Sequence, residues 1–225
     1  MRGLHRTALP TRRHTRVTTV DGPVRCAYML MYNSAVSGNC YKVRLLCAHL
    51  GLPLELRELD VVDRSNRPAV IGDLNPALRV PTLILEDGRP LPESNAIITY
   101  LAEGTDYLPT DRYDRARALG WMMFEQYEIE PNIAVARFWN LFDVGASPEQ
   151  HAGKQAAGRK GLEALERGLT GKEWLVGDRY GVADISLYAY THVAYEGGFD
   201  LEEYPWVQAW LGRVASQAGH IKITD

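Results

Sequence analysis

Short apolar runs alternate with helically spaced apolar residues in the first half of the chain. Residues 27–32 form a short apolar run that predicts a buried strand, and residues 54–59 (LELREL) are a second strand candidate. Between these runs, apolar residues recur at helical spacing, at Cys40, Val43, Leu46, Cys47 and Leu50. Gly51 follows the last of them and is typical of a helix C-terminal cap. A helix between two strands predicts a βαβ unit with parallel strands.

A hairpin and another helix complete this half. The apolar runs 81–85 and 89–91 flank Asp87-Gly88, which indicates a hairpin because glycine accepts the positive φ of the turn. Residues 93–103 predict a helix that ends at Gly104. With a less regular helical stretch before the hairpin, the order β-α-β-α-β-β-α predicts a small mixed sheet.

The pattern becomes helical throughout after residue 111. We expect helices over residues 112–141, 150–169, 183–195 and 206–218, and Pro131 can kink the first of them. The proline-containing stretch between the two halves predicts a linker. The predicted organisation is a basic N-terminal extension at residues 1–26, an α/β domain at 27–106 and an all-helical domain at 111–225.

Composition and charge exclude several classes of protein. The chain is 46% hydrophobic and 24% charged, as in ordinary globular proteins. Its net charge of −3 combines +5 in residues 1–25 with −8 in the remaining 200 residues, and an acidic body argues against a nucleic-acid binder. No apolar run approaches the roughly 18 residues that a membrane helix needs. Three irregularly spaced cysteines favour a reducing compartment, which we take to be the cytoplasm.

The basic extension at residues 1–26 has two interpretations. It lacks the apolar segment of a secretory signal, and Pro10 interrupts the amphipathic helix of a transit peptide. We predict that the extension is disordered. Between a transit peptide and translation that starts at Met29, at the edge of the first predicted strand, we favour the start at Met29.

Three polar segments of the α/β half lie where a binding site could form. Ser37 precedes the first helix, whose free N–H groups favour an anion. A cis bond between Val80 and Pro81 would turn the valine backbone outward, ready to pair with an extended peptide. Glu93-Ser94 begins a helix and could hold the ammonium and carboxylate of an α-amino acid. Taken singly, each segment is explained equally well by capping or turn formation.

Together and in this order, the segments resemble the glutathione transferase family from residue 27 to the C-terminus. SGNCYKVRLL, NPALRVPTL and ESNAIITYLAE are similar to the three glutathione-contacting stretches of its thioredoxin-like domain. GVADISLY and WMMFEQYEIEPNIAVARFW resemble its helical C-terminal domain. The resemblance implies a thioredoxin-like α/β domain followed by an all-α domain, a homodimer, and glutathione as co-substrate without a metal.

The resemblance also implies candidate catalytic residues. Ser37 falls where theta- and zeta-like members place a serine beside the glutathione sulfur. Asn39 falls where beta-like members carry a cysteine, and disulfide-reducing relatives use Thr or Asn near this position. Cys40 is a third candidate, although its helical spacing with Cys47 fits core packing. The choice among these residues stays open.

Five residues are expected to bind glutathione by the same resemblance. Val80 matches the residue whose backbone pairs with the cysteinyl part, and Pro81 matches the cis proline behind it. Glu93 and Ser94 match the pair that holds the γ-glutamyl end. Arg79 is a candidate partner for the glycyl carboxylate.

The implied activity is transfer of glutathione to apolar electrophiles after activation of its thiolate. Five aromatic residues of the helical half could line the electrophile pocket or pack in the core: Trp121, Phe124, Tyr127, Phe138 and Trp139. Two alternatives stay open: a glutathione-dependent disulfide or peroxide reductase on the same site, and a non-catalytic binding protein with this fold. The sequence does not separate detoxification from a metabolic step.

Besides Asn39, a second position departs from the family pattern. The helix that contains GVADISLY usually begins with Ser or Thr three residues before its aspartate, but Gly181 precedes Asp184 here. The side-chain half of the capping box is therefore missing, which costs only a few tenths of a kcal/mol.

Overall fold

The structure, a computed structural model, describes residues 28–225, and the predicted N-terminal extension lies outside them. The first half contains the strands β1 (Met29–Asn33), β2 (Leu54–Glu58), β3 (Thr82–Ile84) and β4 (Pro90–Pro92) and the helices α1 (Gly38–Leu50), α2 (Arg67–Ile71) and α3 (Ser94–Leu101). The sheet order is β2-β1-β3-β4. β1 and β2 are parallel, whereas β3 is antiparallel to both β1 and β4. The predicted mixed sheet is confirmed.

The second half is helical, as predicted. It contains α4 (Arg112–Phe124), a π-helical segment (Glu125–Ala134), α5 (Val135–Phe142), α6 (Pro148–Leu169), α7 (Val182–Thr191), a 3₁₀ turn (Ala194–Gly197) and α8 (Pro205–Ala215). Pro131 lies inside the π-helical segment, whose wider turn accommodates a residue that lacks an N–H donor. Within residues 28–225, no helix combines the length and apolarity needed to cross a membrane.

Two buried helices, α1 and α7, join the halves. Every residue of α7 is buried, and the central part of α1 is buried as well. Met31 of β1 pairs with Leu83 of β3, and both side chains are fully buried beneath these helices. The C-terminal cap of α1 is Gly51 in the left-handed region, at φ 63°, as predicted. The first turn of α1 therefore lies at the junction of sheet and helices.

The missing half of the α7 capping box has a structural explanation. A Cβ atom at Gly181 would lie 2.8 Å from the carbonyl oxygen of Tyr107, so serine or threonine does not fit. That carbonyl instead accepts a hydrogen bond from the N–H of Val182, at 2.9 Å. The carboxylate half of the box is present, since Asp184 Oδ2 accepts from the N–H of Gly181 at 3.1 Å.

A cluster of aromatic and histidine rings fills the space between α1 and the C-terminal helices. His192 stacks on Tyr188 with 4.5 Å between ring centroids, and Tyr41 lies 5.2 Å from the His192 ring. Burial, together with the charges of Arg137 and His220, lowers the pKa of His192 from 6.5 to about 4, although a hydrogen bond with the carbonyl of Tyr188 opposes the shift.

We predict that His192 contributes to acid unfolding. The unfolded histidine binds a proton near pH 6.5 but the folded one only near pH 4, so stability is lost as the pH falls through this window. The loss should reach about 3 kcal/mol. His192→Gln should flatten the pH dependence of the free energy of unfolding, measured with urea between pH 6.5 and 4. An unchanged slope in the variant would contradict the prediction.

Candidate functional site

Ser37 is the N-cap of α1. Its Oγ accepts a hydrogen bond from the N–H of Cys40 at 3.3 Å, and its backbone is extended as an N-cap requires. This bond uses an oxygen lone pair and leaves the hydroxyl proton free to donate. Ser37 is therefore both a helix cap and an available hydrogen-bond donor.

The β1–α1 loop, residues 34–37, is fixed by side chains from three elements. Glu58 of β2 accepts from the N–H of Ala35 at 3.1 Å. Arg44 of α1 donates to the carbonyl of Ala35 at 3.0 Å, and Arg137 of α5 donates to the carbonyl of Val36 at 2.6 Å. Both halves of the chain therefore determine where Ser37 lies.

Asn39 lies in the first turn of α1 and is held on two sides. Its N–H donates to Tyr190 Oη at 3.2 Å, while its Oδ1 accepts from Lys42 Nζ at 2.8 Å and Ser94 Oγ at 3.0 Å. Its amide NH₂ has no hydrogen-bond partner among residues 28–225. Gly38 permits this packing, because a Cβ there would lie 2.5 Å from the Tyr190 ring.

The cysteines of α1 face inward, as their spacing predicts. Cys40 is completely buried, its Sγ accepts from the N–H of Ser34 at 3.4 Å, and burial raises its pKa to about 11. Burial likewise raises the pKa of Cys47 to about 12. Neither thiol is available as a thiolate near neutral pH, which leaves Ser37 and Asn39 as candidates.

The Val-Pro and Glu-Ser segments lie beside Asn39. The Val80–Pro81 peptide bond is cis, and within residues 28–225 the backbone N–H and C=O of Val80 make no hydrogen bond. Glu93 has φ 72°, and its side chain makes no capping bond to α3, so capping does not explain this residue. A non-glycine residue in this region costs on the order of 1–3 kcal/mol and is typical of functional sites.

Two adjoining recesses bring together all seven residues predicted for the site. The polar recess is lined by Asn39, Asn75, Arg79, Val80, Pro81, Glu93, Ser94, Gln126 and Glu130. The larger recess has a volume of about 390 Å³ and includes Ser37 and Tyr190 in its wall. Asn39, Arg79, Val80 and Glu130 line both. The roles assigned to these residues stay predictions.

Five aromatic residues were candidates either for an electrophile pocket or for packing in the core, and the recess includes one of them. Only Phe138 lines the larger recess. Trp121 packs against Gly168, Phe124 packs edge-on against Trp121, Tyr127 is exposed, and Trp139 lies against His151. Helical periodicity does not reveal which aromatic residue faces which neighbour. The apolar wall of the recess instead includes Phe138, Leu141 and Phe142.

Glu130 was missed by the sequence reasoning, although EIEP lies within a segment that resembles the family. It follows the start of the π-helical segment and lines both recesses. Burial and the nearby charge of Glu125 raise its pKa, while Lys42 and Arg79 oppose this effect. Tyr190, at the C-terminal part of α7, was also missed because its position is set by long-range packing.

A buried ion pair lies behind the polar recess. Lys42 Nζ and Glu125 Oε2 are 2.6 Å apart, and neither side chain has exposed surface. Lys42 also donates to Asn39 Oδ1 at 2.8 Å, so it connects the pair with the site. Within residues 28–225, the other carboxylate oxygen, Glu125 Oε1, is buried and has no hydrogen-bond partner.

Other side chains surround the Glu125 carboxylate. Its Oε2 accepts from Gln126 Nε2 at 2.8 Å, from Ser186 Oγ at 3.3 Å and from Asn95 Nδ2 at 3.4 Å. These donors come from α3, the π-helical segment and α7. The carboxylate therefore joins both halves of the chain directly behind Asn39.

The chain is similar to known proteins over most of its length. Residues 31–106 match the family model "Glutathione S-transferase, N-terminal domain", and residues 135–218 match "Glutathione S-transferase, C-terminal domain". A crystal structure of a Pseudomonas fluorescens glutathione S-transferase has TM-score 0.85 and 43% identity, covering 88% of this chain and 99% of that chain. Glutathione S-transferase 2 of Anopheles gambiae is 30% identical, over 81% of this chain and 88% of its own. The Escherichia coli disulfide-bond oxidoreductase YfcG is 26% identical over the same shares.

We predict strong coupling between Lys42 and Glu125. Replacing either residue alone by methionine leaves a buried charge unpaired, and each variant should lose about 3–5 kcal/mol of unfolding free energy in urea titrations. The double variant should lose less than the sum of the single losses, because it buries no charge. Additive losses would show that the pair is not coupled.

Proposed function

Because this chain belongs to the glutathione S-transferase family, we propose that it binds glutathione along the two recesses and transfers its thiolate to an electrophile. The observation that carries the proposal is the convergence of Ser37, Asn39, Val80 and Glu93-Ser94 on one continuous wall. Each of these residues retains a donor, an acceptor or a charge that the fold does not use.

Glutathione would lie extended along this wall. Its γ-glutamyl ammonium would meet Glu93, and its α-carboxylate would meet the backbone N–H of Ser94 and the other free N–H groups at the start of α3. The cysteinyl part would pair with the unbonded N–H and C=O of Val80. The glycyl carboxylate would lie near Arg79, which lines both recesses.

The chemical task is to hold the sulfur as an anion. A free thiol has a pKa of about 8.5, so only a few per cent is thiolate at pH 7. The Ser37 hydroxyl is a very weak base, and its contribution is a hydrogen bond donated to the thiolate. The N-terminus of α1 and the free amide of Asn39 would act in the same direction. Lowering the pKa by one unit requires about 1.36 kcal/mol.

Reduction of disulfides or peroxides on the same site is the second candidate. It is favoured by the free amide of Asn39 beside the proposed sulfur position and by similarity to a disulfide-bond oxidoreductase. This activity would appear as turnover of a disulfide or hydroperoxide without turnover of chlorodinitrobenzene. The buried free thiols of Cys40 and Cys47 fit a reducing compartment, and we propose the cytoplasm.

A third possibility is a non-catalytic member of the family. Calorimetric titration of glutathione, combined with the ultraviolet absorbance of its thiolate across pH, separates this possibility from the two enzymatic ones. Binding with a lowered sulfur pKa supports an activated-thiol enzyme. Binding without a shifted pKa would indicate a carrier, and no binding would contradict the proposal altogether.

We also propose a homodimer formed through the groove between α3 and α4. This groove has a volume of about 570 Å³ and is lined by Asn95, Ala96, Thr99, Tyr100, Leu119, Met122, Met123 and Gln126. Tyr100 and Met123 are 51% and 65% exposed, respectively. Exposed apolar surface of this kind marks an interaction site, and the family resemblance implies a second copy as its occupant.

Substitutions at Ser37 should separate capping from thiolate stabilisation. Ser37→Gly should cost only a few tenths of a kcal/mol as a cap, yet it removes the hydroxyl, whereas Ser37→Thr keeps the hydroxyl. We expect the bound-thiol pKa to rise by about one unit in the glycine variant and to change little in the threonine variant. If the pKa of the bound thiol is the same in both variants, the stabilisation of the thiolate would be assigned to Asn39.

A charge placed in the α3–α4 groove should disrupt the proposed dimer. Met123→Asp is expected to give a monomer in sedimentation equilibrium, because an aspartate in an apolar interface is desolvated without a partner. Leu56→Asp makes a comparable change on exposed β2, outside the groove, and should leave the dimer intact. A monomeric wild-type chain at micromolar concentration would rule out the dimer.

A further inference from the structure

The larger recess has the opposite charge to the rest of the protein. Its wall includes five cationic side chains, Arg64, Arg67, Arg79, Arg137 and Lys154, and Glu130 is its one carboxylate. Residues 26–225 nevertheless carry a net charge of −8. A positively charged cleft attracts anions even when the protein as a whole is negatively charged, since the low-dielectric walls of the cleft focus its electric field.

Three of the five cations are already bonded within the protein or assigned to glutathione. Arg137 forms an ion pair with Glu196 at 2.5 Å. Arg67 is only 3% exposed and donates to the carbonyls of Leu78 and Asp60 at 3.0 and 2.8 Å. Arg79 is assigned to the glycyl carboxylate in the proposed function.

Arg64 and Lys154 remain without an anionic partner. No carboxylate of residues 28–225 lies within 4.0 Å of either cationic group, and the one hydrogen bond from the Arg64 side chain goes to the carbonyl of Val61. Arg64 precedes α2 in the first half, and Lys154 belongs to α6 in the second. Each half of the chain thus contributes one free cation to the recess.

The charges of glutathione do not account for these two groups. Its ammonium is matched by Glu93, its α-carboxylate by Ser94 and the start of α3, and its glycyl carboxylate by Arg79. The larger recess combines an apolar wall at Phe138, Leu141 and Phe142 with the two free cations. A neutral apolar electrophile would use the wall and leave both cations unpaired.

We infer that the second substrate is an electrophile that carries a carboxylate on an apolar body, with Arg64 and Lys154 binding the carboxylate. The inference rests on the proposed function and narrows the apolar electrophile expected from the sequence to an anionic one. Arg64 and Lys154 are specificity-determining residues in this arrangement and take no part in activating the thiol.

Binding of two matched conjugates tests the inference without requiring turnover. The first is the glutathione conjugate of a chloronitrobenzoate, and the second is the same conjugate with the aryl carboxylate as its methyl ester. The two differ by one negative charge at the far end of the aromatic ring. In calorimetric titrations, the carboxylate conjugate should bind about tenfold more tightly, and this ratio should fall as salt is added.

Substitutions of Arg64 and Lys154 test whether these two cations cause the preference for the carboxylate conjugate over its ester. Arg64→Met and Lys154→Met should each lower the ratio of carboxylate to ester affinity about threefold to fivefold, as expected for partly exposed ion pairs. Lys154→Arg should restore most of the preference because it keeps the charge. Lys160→Met is the matched control, since it removes an exposed lysine of the same helix outside the recess.

The outcomes separate the inference from the proposed function. Equal or tighter binding of the ester, while glutathione itself binds, would overturn the anionic substrate and leave the glutathione enzyme standing. An equal loss of preference in Lys160→Met would overturn the assignment to the recess. Failure of glutathione and both conjugates to bind would overturn the proposed function and this inference together.

Discussion

Lys42 and Glu125 place opposite charges, without exposed surface, between the two halves of the chain. Removing these charges from water costs several kcal/mol per ion, and the cost is offset only when the remaining protons and lone pairs find partners. Lys42 achieves this through Asn39, and Glu125 Oε2 through donors from α3, the π-helical segment and α7, whereas Glu125 Oε1 has no partner within residues 28–225. The relative position of the halves is therefore coupled to the position of Asn39, a wall residue of both recesses.

The π-helical segment extends this dependence to a second wall residue of both recesses, Glu130. It begins at Glu125 and contains Pro131, so the same ten residues anchor the ion pair and accommodate the proline. A wider helical turn changes which side chains face inward. Here it buries Glu125 beneath the site and leaves Glu130 in the wall of both recesses. The segment that fixes the domain contact thus also shapes the site.

Local patterns in the sequence were sufficient for the strands, most helices and several turns. Gly51 and Gly88 both have positive φ, as the predicted cap and hairpin require. Features that depend on distant residues were not predictable in this way. A lysine and a glutamate are normally surface residues, so nothing in the pattern indicated that Lys42 and Glu125 are buried. Similarly, only the three-dimensional packing shows that the carbonyl of Tyr107 occupies the space of a missing side chain at Gly181.

Three departures from ordinary folding rules lie in the wall of the polar recess or directly behind it. Glu93 has a positive φ, Val80 leaves its backbone groups without hydrogen bonds, and Glu125 Oε1 is buried without a partner. Each departure lowers stability, and a protein selected for stability alone would not gather them beside one another. Their proximity to Ser37 and Asn39 is explained if this wall is complementary to a ligand that supplies the missing partners at Glu93 and Val80. The same explanation applies to the larger recess, because its unpaired cations gain a partner only when an anion binds.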